Sequence, residues 1–139
     1  MSAFVDSSAW FASVVARDRH NTRAKEVLRQ AATAGLVTTD HVVVETWLLL
    51  NRRQHRAAAE EFWEAIYQGI AEVEFVIAAD WQSAWVIREA FPDQDFSLVD
   101  RTSFAVMERL GLRRAASFDS DFAVYRYGRN RDRAFEILR

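Results

Sequence analysis

Five acidic residues, Asp6, Glu45, Asp100, Asp119 and Asp121, stand where apolar segments of this chain end or are interrupted. Asp6 closes Ala3-Phe4-Val5, and Glu45 interrupts Val42-Val43-Val44 and Trp47-Leu48-Leu49-Leu50. Asp100 follows Phe96-Ser97-Leu98-Val99, and Asp119 and Asp121 follow Ala115-Ala116-Ser117-Phe118. An ionised carboxylate beside a core is costly unless something positive compensates it. A divalent metal accounts for all five acids at once, because hard cations take oxygen ligands. Such an ion lowers the pKa of a water, orients it for in-line attack and stabilises a leaving oxygen.

Each acid also fits a structural role when taken alone. Asp6 can cap a helix after the first strand. Glu45 lies in a helix that is apolar almost all round, the mark of a buried helix, and an arginine partner is as suitable there as a metal. Ser97-Leu98-Val99-Asp100 resembles a capping box. Asp119 can cap a short helix through Asp121 and Phe122. The set carries more weight than its members, since independent structural roles would have to coincide with strand ends and a buried helix.

The elements that position these acids alternate between strand and helix. Strands are expected at Ser2–Val5, Leu36–Thr38, Glu72–Val76, Arg114–Ser117 and Phe135–Leu138. Helices are expected at about Ser7–Ala16, Asn21–Ala34, Arg56–Gln68 and Ser97–Leu110, with one capped by Thr39 or Asp40 that runs to about Arg53 and another capped by Asp80 and stopped by Pro92. Apolar residues at helical spacing support the helices. Strands separated by helices imply a parallel sheet flanked on both faces. Ligands bind outside the carboxyl ends of such strands, and Asp6 and Asp119 fall there.

Composition narrows the class. With 139 residues, half of them hydrophobic, the chain is long enough for one domain, 1–139, with a substantial core. Cysteine is absent, which excludes disulfides and thiolate metal sites and suits a reducing cytoplasm. Neither a signal peptide nor a membrane span is evident. The net charge of −2 does not advertise a nucleic-acid binder, but an average hides an acidic centre inside a basic rim.

Four blocks, in order and at ordinary spacing across the chain, resemble a known family. They are Phe4-Val5-Asp6-Ser7-Ser8, Thr38-Thr39-Asp40 through Val44-Glu45-Thr46, Phe96 through Phe104, and Ser117-Phe118-Asp119-Ser120-Asp121-Phe122. The chain resembles PIN-domain ribonucleases, and among them the VapC-type toxins of bacterial toxin–antitoxin pairs. The resemblance implies an α/β fold, a three-layer α/β/α domain around a short, mainly parallel sheet. It also implies a magnesium- or manganese-dependent endonuclease acting on RNA. Carried over by position, Asp6, Glu45, Asp100 and Asp119 are the catalytic acids, with Asp6, Asp100 and Asp119 on the metal. Asp121 is accessory, as are Ser7, beside the first Asp, and Ser103, one helical turn after Asp100. An antitoxin covering a groove near the site and a toxin homodimer are further implications.

The remaining side chains are read against this background. No HExxH or paired-histidine zinc pattern occurs. His20 and His55 read as solvated, and His41 lies one turn before Glu45. Arg113 and Arg114 precede the Asp119 block, and Arg126, Arg129, Arg131 and Arg133 follow it among Tyr125 and Tyr127. That segment reads as an RNA rim, since Arg suits phosphate and stacks on bases. Trp10, Phe11 and Trp47 are close in sequence to the acids; core packing or an apolar partner patch accounts for them. The main competitor is a catalytically inactive RNA- or protein-binding module of the same fold, against which the intact acid set weighs. Phosphoryl-transfer folds fit less well, because no lysine follows Lys25 and Asp6 is not followed by Asp-x-Asp spacing.

Overall fold

β1 (Ala3–Val5), the first strand of the chain, lies at the centre of a five-stranded parallel sheet. Its neighbours are β2 (Leu36–Thr39) on one side and β4 (Arg114–Ala116) on the other. β3 (Glu72–Glu74) and β5 (Glu136–Leu138) are the edges, giving the order β3-β2-β1-β4-β5. These relationships come from a computed structural model describing residues 1–139. All four strand pairings are parallel, which sharpens the expected "mainly parallel" sheet.

Seven helices flank the sheet: α1 (Ser7–Val14), α2 (Asn21–Ala31), α3 (Asp40–Arg53), α4 (Arg56–Tyr67), α5 (Ala78–Ala90), α6 (Leu98–Leu110) and α7 (Asp121–Val124). The result is the three-layer α/β/α arrangement. Central strands covered on both faces must be apolar throughout, and Ala3, Phe4, Val5, Ala115 and Ala116 are all fully buried. An aromatic cluster of Phe96, Phe104, Phe122, Tyr125 and Phe135 packs α6 and α7 onto this centre.

The observed α2 ends at Ala31, before the expected Ala34. Asp80 is not the cap of α5. It sits one turn inside, where its carboxylate accepts from the Ile77 N–H at 2.9 Å and from both Nε and Nη2 of Arg109. α3 is not buried all round either: Val44 is 58% and Leu48 56% exposed. Only the Val42, Val43, Thr46 and Leu50 side faces inward.

Candidate active site

The strand order reverses at β1, with β2 to one side and β4, reached after two further elements of the sheet, to the other. That switch point opens a crevice at the carboxyl ends of β1 and β4. Asp6 follows β1, and Asp119 and Asp121 follow β4. The first turn of α6 brings Asp100, and α3 brings Glu45.

One carboxylate oxygen from each of Asp100, Asp119 and Asp121 lies within 4.8 Å of the other two. Asp121, expected to be accessory, is thus a full member of the tightest group. Asp6 adjoins it, and its charge acts on both Asp100 and Glu45.

Each acid is held by its own local chemistry. Asp6 caps α1 as its sequence position suggested, accepting from the Ser8 N–H, but it is also 2% exposed and fixed by two hydroxyls. Ser8 Oγ donates to Asp6 Oδ2 at 2.8 Å and Ser117 Oγ donates to the same oxygen at 3.0 Å. Ser117 Oγ also accepts from the Asp119 N–H at 3.1 Å, so one hydroxyl ties the ends of β1 and β4 together. Neither serine carried a role in the sequence reading. The available signal was Ser117 standing between an apolar strand and an acid.

Asp100 keeps its capping box while joining the cluster. Its Oδ2 accepts from the Ser97 N–H at 3.1 Å, and its own N–H donates to Ser97 Oγ at 3.0 Å. The structural and functional readings of this residue therefore coexist. Asp119 Oδ1 accepts from the Asp121 N–H at 2.9 Å, a turn that aims both carboxylates the same way. Ser7 Oγ donates to Asp6 Oδ1 across 3.5 Å, and its hydroxyl partly offsets the burial that raises the Glu45 pKa. Ser103 is fully buried and its hydroxyl has no hydrogen-bond partner. Its neighbour Thr102 instead contacts His41 Nδ1 at 3.2 Å.

The electrostatics are those of uncompensated negative charge. Burial raises the pKa of Asp6, partly opposed by the Ser8 and Ser117 hydroxyls. Burial pushes Asp100 up to about 8, with the charge of Asp6 adding to it. Burial also raises Glu45 and Asp121, and Asp119 repels both. Asp95, not singled out from the sequence, adds repulsion at Asp121. No arginine, lysine or histidine forms an ion pair with any of the five acids. An arginine partner for Glu45 is thereby excluded. Oxygen-only donors without a cationic side chain fit a hard divalent cation.

Two of the arginines that follow Asp119 are engaged within the chain. Arg126 Nη1 donates to the carbonyls of Ala123, Val124 and Tyr125, closing the end of α7. Arg131 Nη1 donates to the Tyr125 hydroxyl at 2.6 Å, and that hydroxyl donates to Glu108 Oε2. Glu108 is about 12 Å of helix rise from Asp100. Arg114 faces the Met1 carbonyl and Glu136, at the opposite end of the sheet. Trp10 is buried and donates to Thr38 Oγ1, whereas Trp63, Trp81 and Trp85 are the exposed tryptophans.

A PIN domain model matches residues 3–127. The chain belongs to the PIN-domain family. Two Mycobacterium tuberculosis proteins described as 23S rRNA-specific endonuclease VapC20, from strains CDC 1551 / Oshkosh and ATCC 25618 / H37Rv, are 37% identical over 121 residues. The match covers 87% of this chain and 92% of each relative. The crystal structure of Mycobacterium tuberculosis VapC20, described as a Sarcin-Ricin loop cleaving toxin, superposes with a TM-score of 0.81 at 36% identity. That superposition covers 86% of this chain and 92% of the other. The PIN fold and the carboxylate crevice thus occur together, in the arrangement expected from the four sequence blocks.

Proposed function

We propose that this PIN-domain chain is a divalent-metal-dependent endoribonuclease and the toxin of a toxin–antitoxin pair. The observation that carries the proposal is the carboxylate group of Asp100, Asp119 and Asp121, with Asp6 and Glu45 beside it, at the switch point of the sheet. The similarity to VapC20 supports an RNA substrate, and we assign ribosomal RNA as its class.

In this reading Asp6, Asp100 and Asp119 hold magnesium or manganese, and Asp121 completes the oxygen set. The ion, when bound, supplies a Lewis acid that polarises the phosphodiester and lowers the pKa of water. Glu45 orients the attacking water and receives its proton. A new phosphorus–oxygen bond forms as the bond to the leaving ribose oxygen breaks; that oxygen takes up a proton from solvent, to which Glu45 then returns its own. Ser8 and Ser117 keep Asp6 from rotating, and Ser7 holds Glu45 toward the crevice. Buried carboxylates disfavour their charged forms, so the cation and the acids stabilise one another.

A groove of about 480 Å³ runs beside Glu45, lined by Val44, Leu48, Leu49 and Val99 among others. Its apolar wall supports an antitoxin segment as the covering partner, with a homodimer as the toxin's assembly. No helix is long and apolar enough to cross a membrane, and an RNA substrate assigns the protein to the cytoplasm.

The test is cleavage of total cellular RNA by wild-type protein and Asp100→Asn, each with magnesium, manganese or EDTA. Discrete fragments that need metal and vanish in the variant establish the activity. Fragment ends mapping outside ribosomal RNA would overturn the substrate assignment alone. Metal binding without cleavage would support the non-catalytic module instead.

A further inference from the structure

The connection between α1 and α2 reaches the rim of the carboxylate crevice. There the imidazole of His20 stacks on the ring of Phe118, with centroids 4.7 Å apart and planes 19° apart. His20 is therefore not the free surface histidine its polar surroundings in the sequence suggested. Phe118 immediately precedes Asp119, and its N–H donates to Ser8 Oγ, the hydroxyl that also holds Asp6. The stack is thus anchored to the same scaffold as the acids.

The His20 side is fixed as well. Its N–H donates to Asp18 Oδ1 at 2.8 Å, and its Nε2 accepts from Arg19 Nε at 3.1 Å. Both rings remain partly exposed. Neither Arg17 nor Arg19 forms an ion pair. A flat aromatic step, with the unpaired charges of Arg17 and of the His20-bonded Arg19 beside it in the loop, therefore borders a strongly acidic centre. Nothing in the hydrogen bonding of His20 connects it to the carboxylates, so a proton-transfer role has no route.

We propose that His20 and Phe118 form a stacking step for a nucleobase next to the scissile phosphate, with Arg17 and Arg19 receiving the flanking backbone. The proposal rests on the ribonuclease reading above. Unpaired RNA bases stack on aromatic and histidine rings, and a polyanion approaching five carboxylates needs cationic contacts beside them. His20 positions the substrate and takes no part in bond making.

The experiment compares wild type, His20→Ala and His20→Phe on the RNA fragment that the wild type cleaves. The expected result is a KM about tenfold higher for His20→Ala, kcat within about twofold, and near wild-type kinetics for His20→Phe, which keeps the ring. An unchanged KM in His20→Ala overturns the proposal, and so does a His20→Phe variant as impaired as His20→Ala. A second readout does not depend on cleavage. 2-Aminopurine is placed at successive positions of a short single-stranded RNA, and its quenching on binding is measured for each protein. Quenching by wild type that is lost in His20→Ala supports the step even if no cleavage is found, an outcome that defeats only the nuclease reading. Cleavage with equal quenching by all three proteins defeats the step alone.

Discussion

Asp100 in α6 and Asp121 in α7 bring carboxylate oxygens within 4.8 Å of each other, so two acids from different helices share one small volume. Burial, with the charge of Asp6, pushes the Asp100 carboxyl up to about 8, so its protonated form is favoured at neutral pH in metal-free protein. A cation binding there must displace that proton. Magnesium binding at about pH 7 should therefore release protons, and affinity should climb as pH rises toward about 8. Titration calorimetry in buffers of differing ionisation enthalpy reads the release. Heats that do not depend on the buffer would contradict it.

The same shift sets how stability depends on pH. The folded-state pKa of Asp100, about 8, exceeds its ordinary value of 3.8, so the folded protein binds the proton more tightly than the unfolded chain. This contribution is fully present below 3.8 and is lost as pH rises through about 8. The raised pKa values of Asp6, Glu45 and Asp121 act in the same direction. In EDTA the melting temperature should fall as pH rises across that window. Asp100→Asn should flatten the fall, and magnesium should restore more stability at the alkaline end than at the acid end. Parallel melting curves for wild type and variant would count against the assignment.

Ser117→Ala removes the hydroxyl that bridges Asp6 and the Asp119 N–H. Leaving buried polar partners unsatisfied costs about 1–3 kcal/mol. Denaturant unfolding should report a loss in that range. Cleavage should fall by about 10–100-fold, the usual effect of losing a group that orients a metal ligand. Ser117→Thr, retaining a hydroxyl, should recover part of both.

Arg109 is expected to matter for folding and not for chemistry. It donates from two nitrogens to Asp80, a carboxylate only 2% exposed, and from a third to Glu74. Arg109→Ala strands that carboxylate and should cost on the order of 3 kcal/mol. Adding Asp80→Asn should recover much of the loss in a double-mutant cycle. At temperatures where each variant is folded, kcat should match the wild type.

The order and type of every major element were legible because strand and helix periodicities alternate cleanly and the acids mark their ends. Asp100 was legible twice, as a cap and as a site acid, since its two oxygens serve both purposes. What was not legible was mostly contact in space, which adjacency along the chain does not reveal. The arginines after Asp119 are close to it along the chain, yet the connection from β4 to β5 turns back along α6 and spends Arg126 and Arg131 on internal contacts. Conversely, His20 meets Phe118 across most of the chain, and no local pattern announces that. Asp80 had a cap-like position, but its partner Arg109 comes from the next helix in space. The apolar sequence of α3 implied burial, whereas its position leaves Val44 and Leu48 facing solvent beside the crevice.

Pairing the first strand with the fourth has a consequence for biosynthesis. Asp6 and Ser117, whose hydrogen bond joins the two halves of the crevice, are 111 residues apart. Contacts of such long range form late, after the loop between them has closed. A ribosome making this chain releases Asp6 long before Asp100, Asp119 and Asp121, the acids that complete the crevice. A polypeptide that still lacks the fourth strand therefore has no assembled carboxylate crevice, however much of the rest of the chain has already folded.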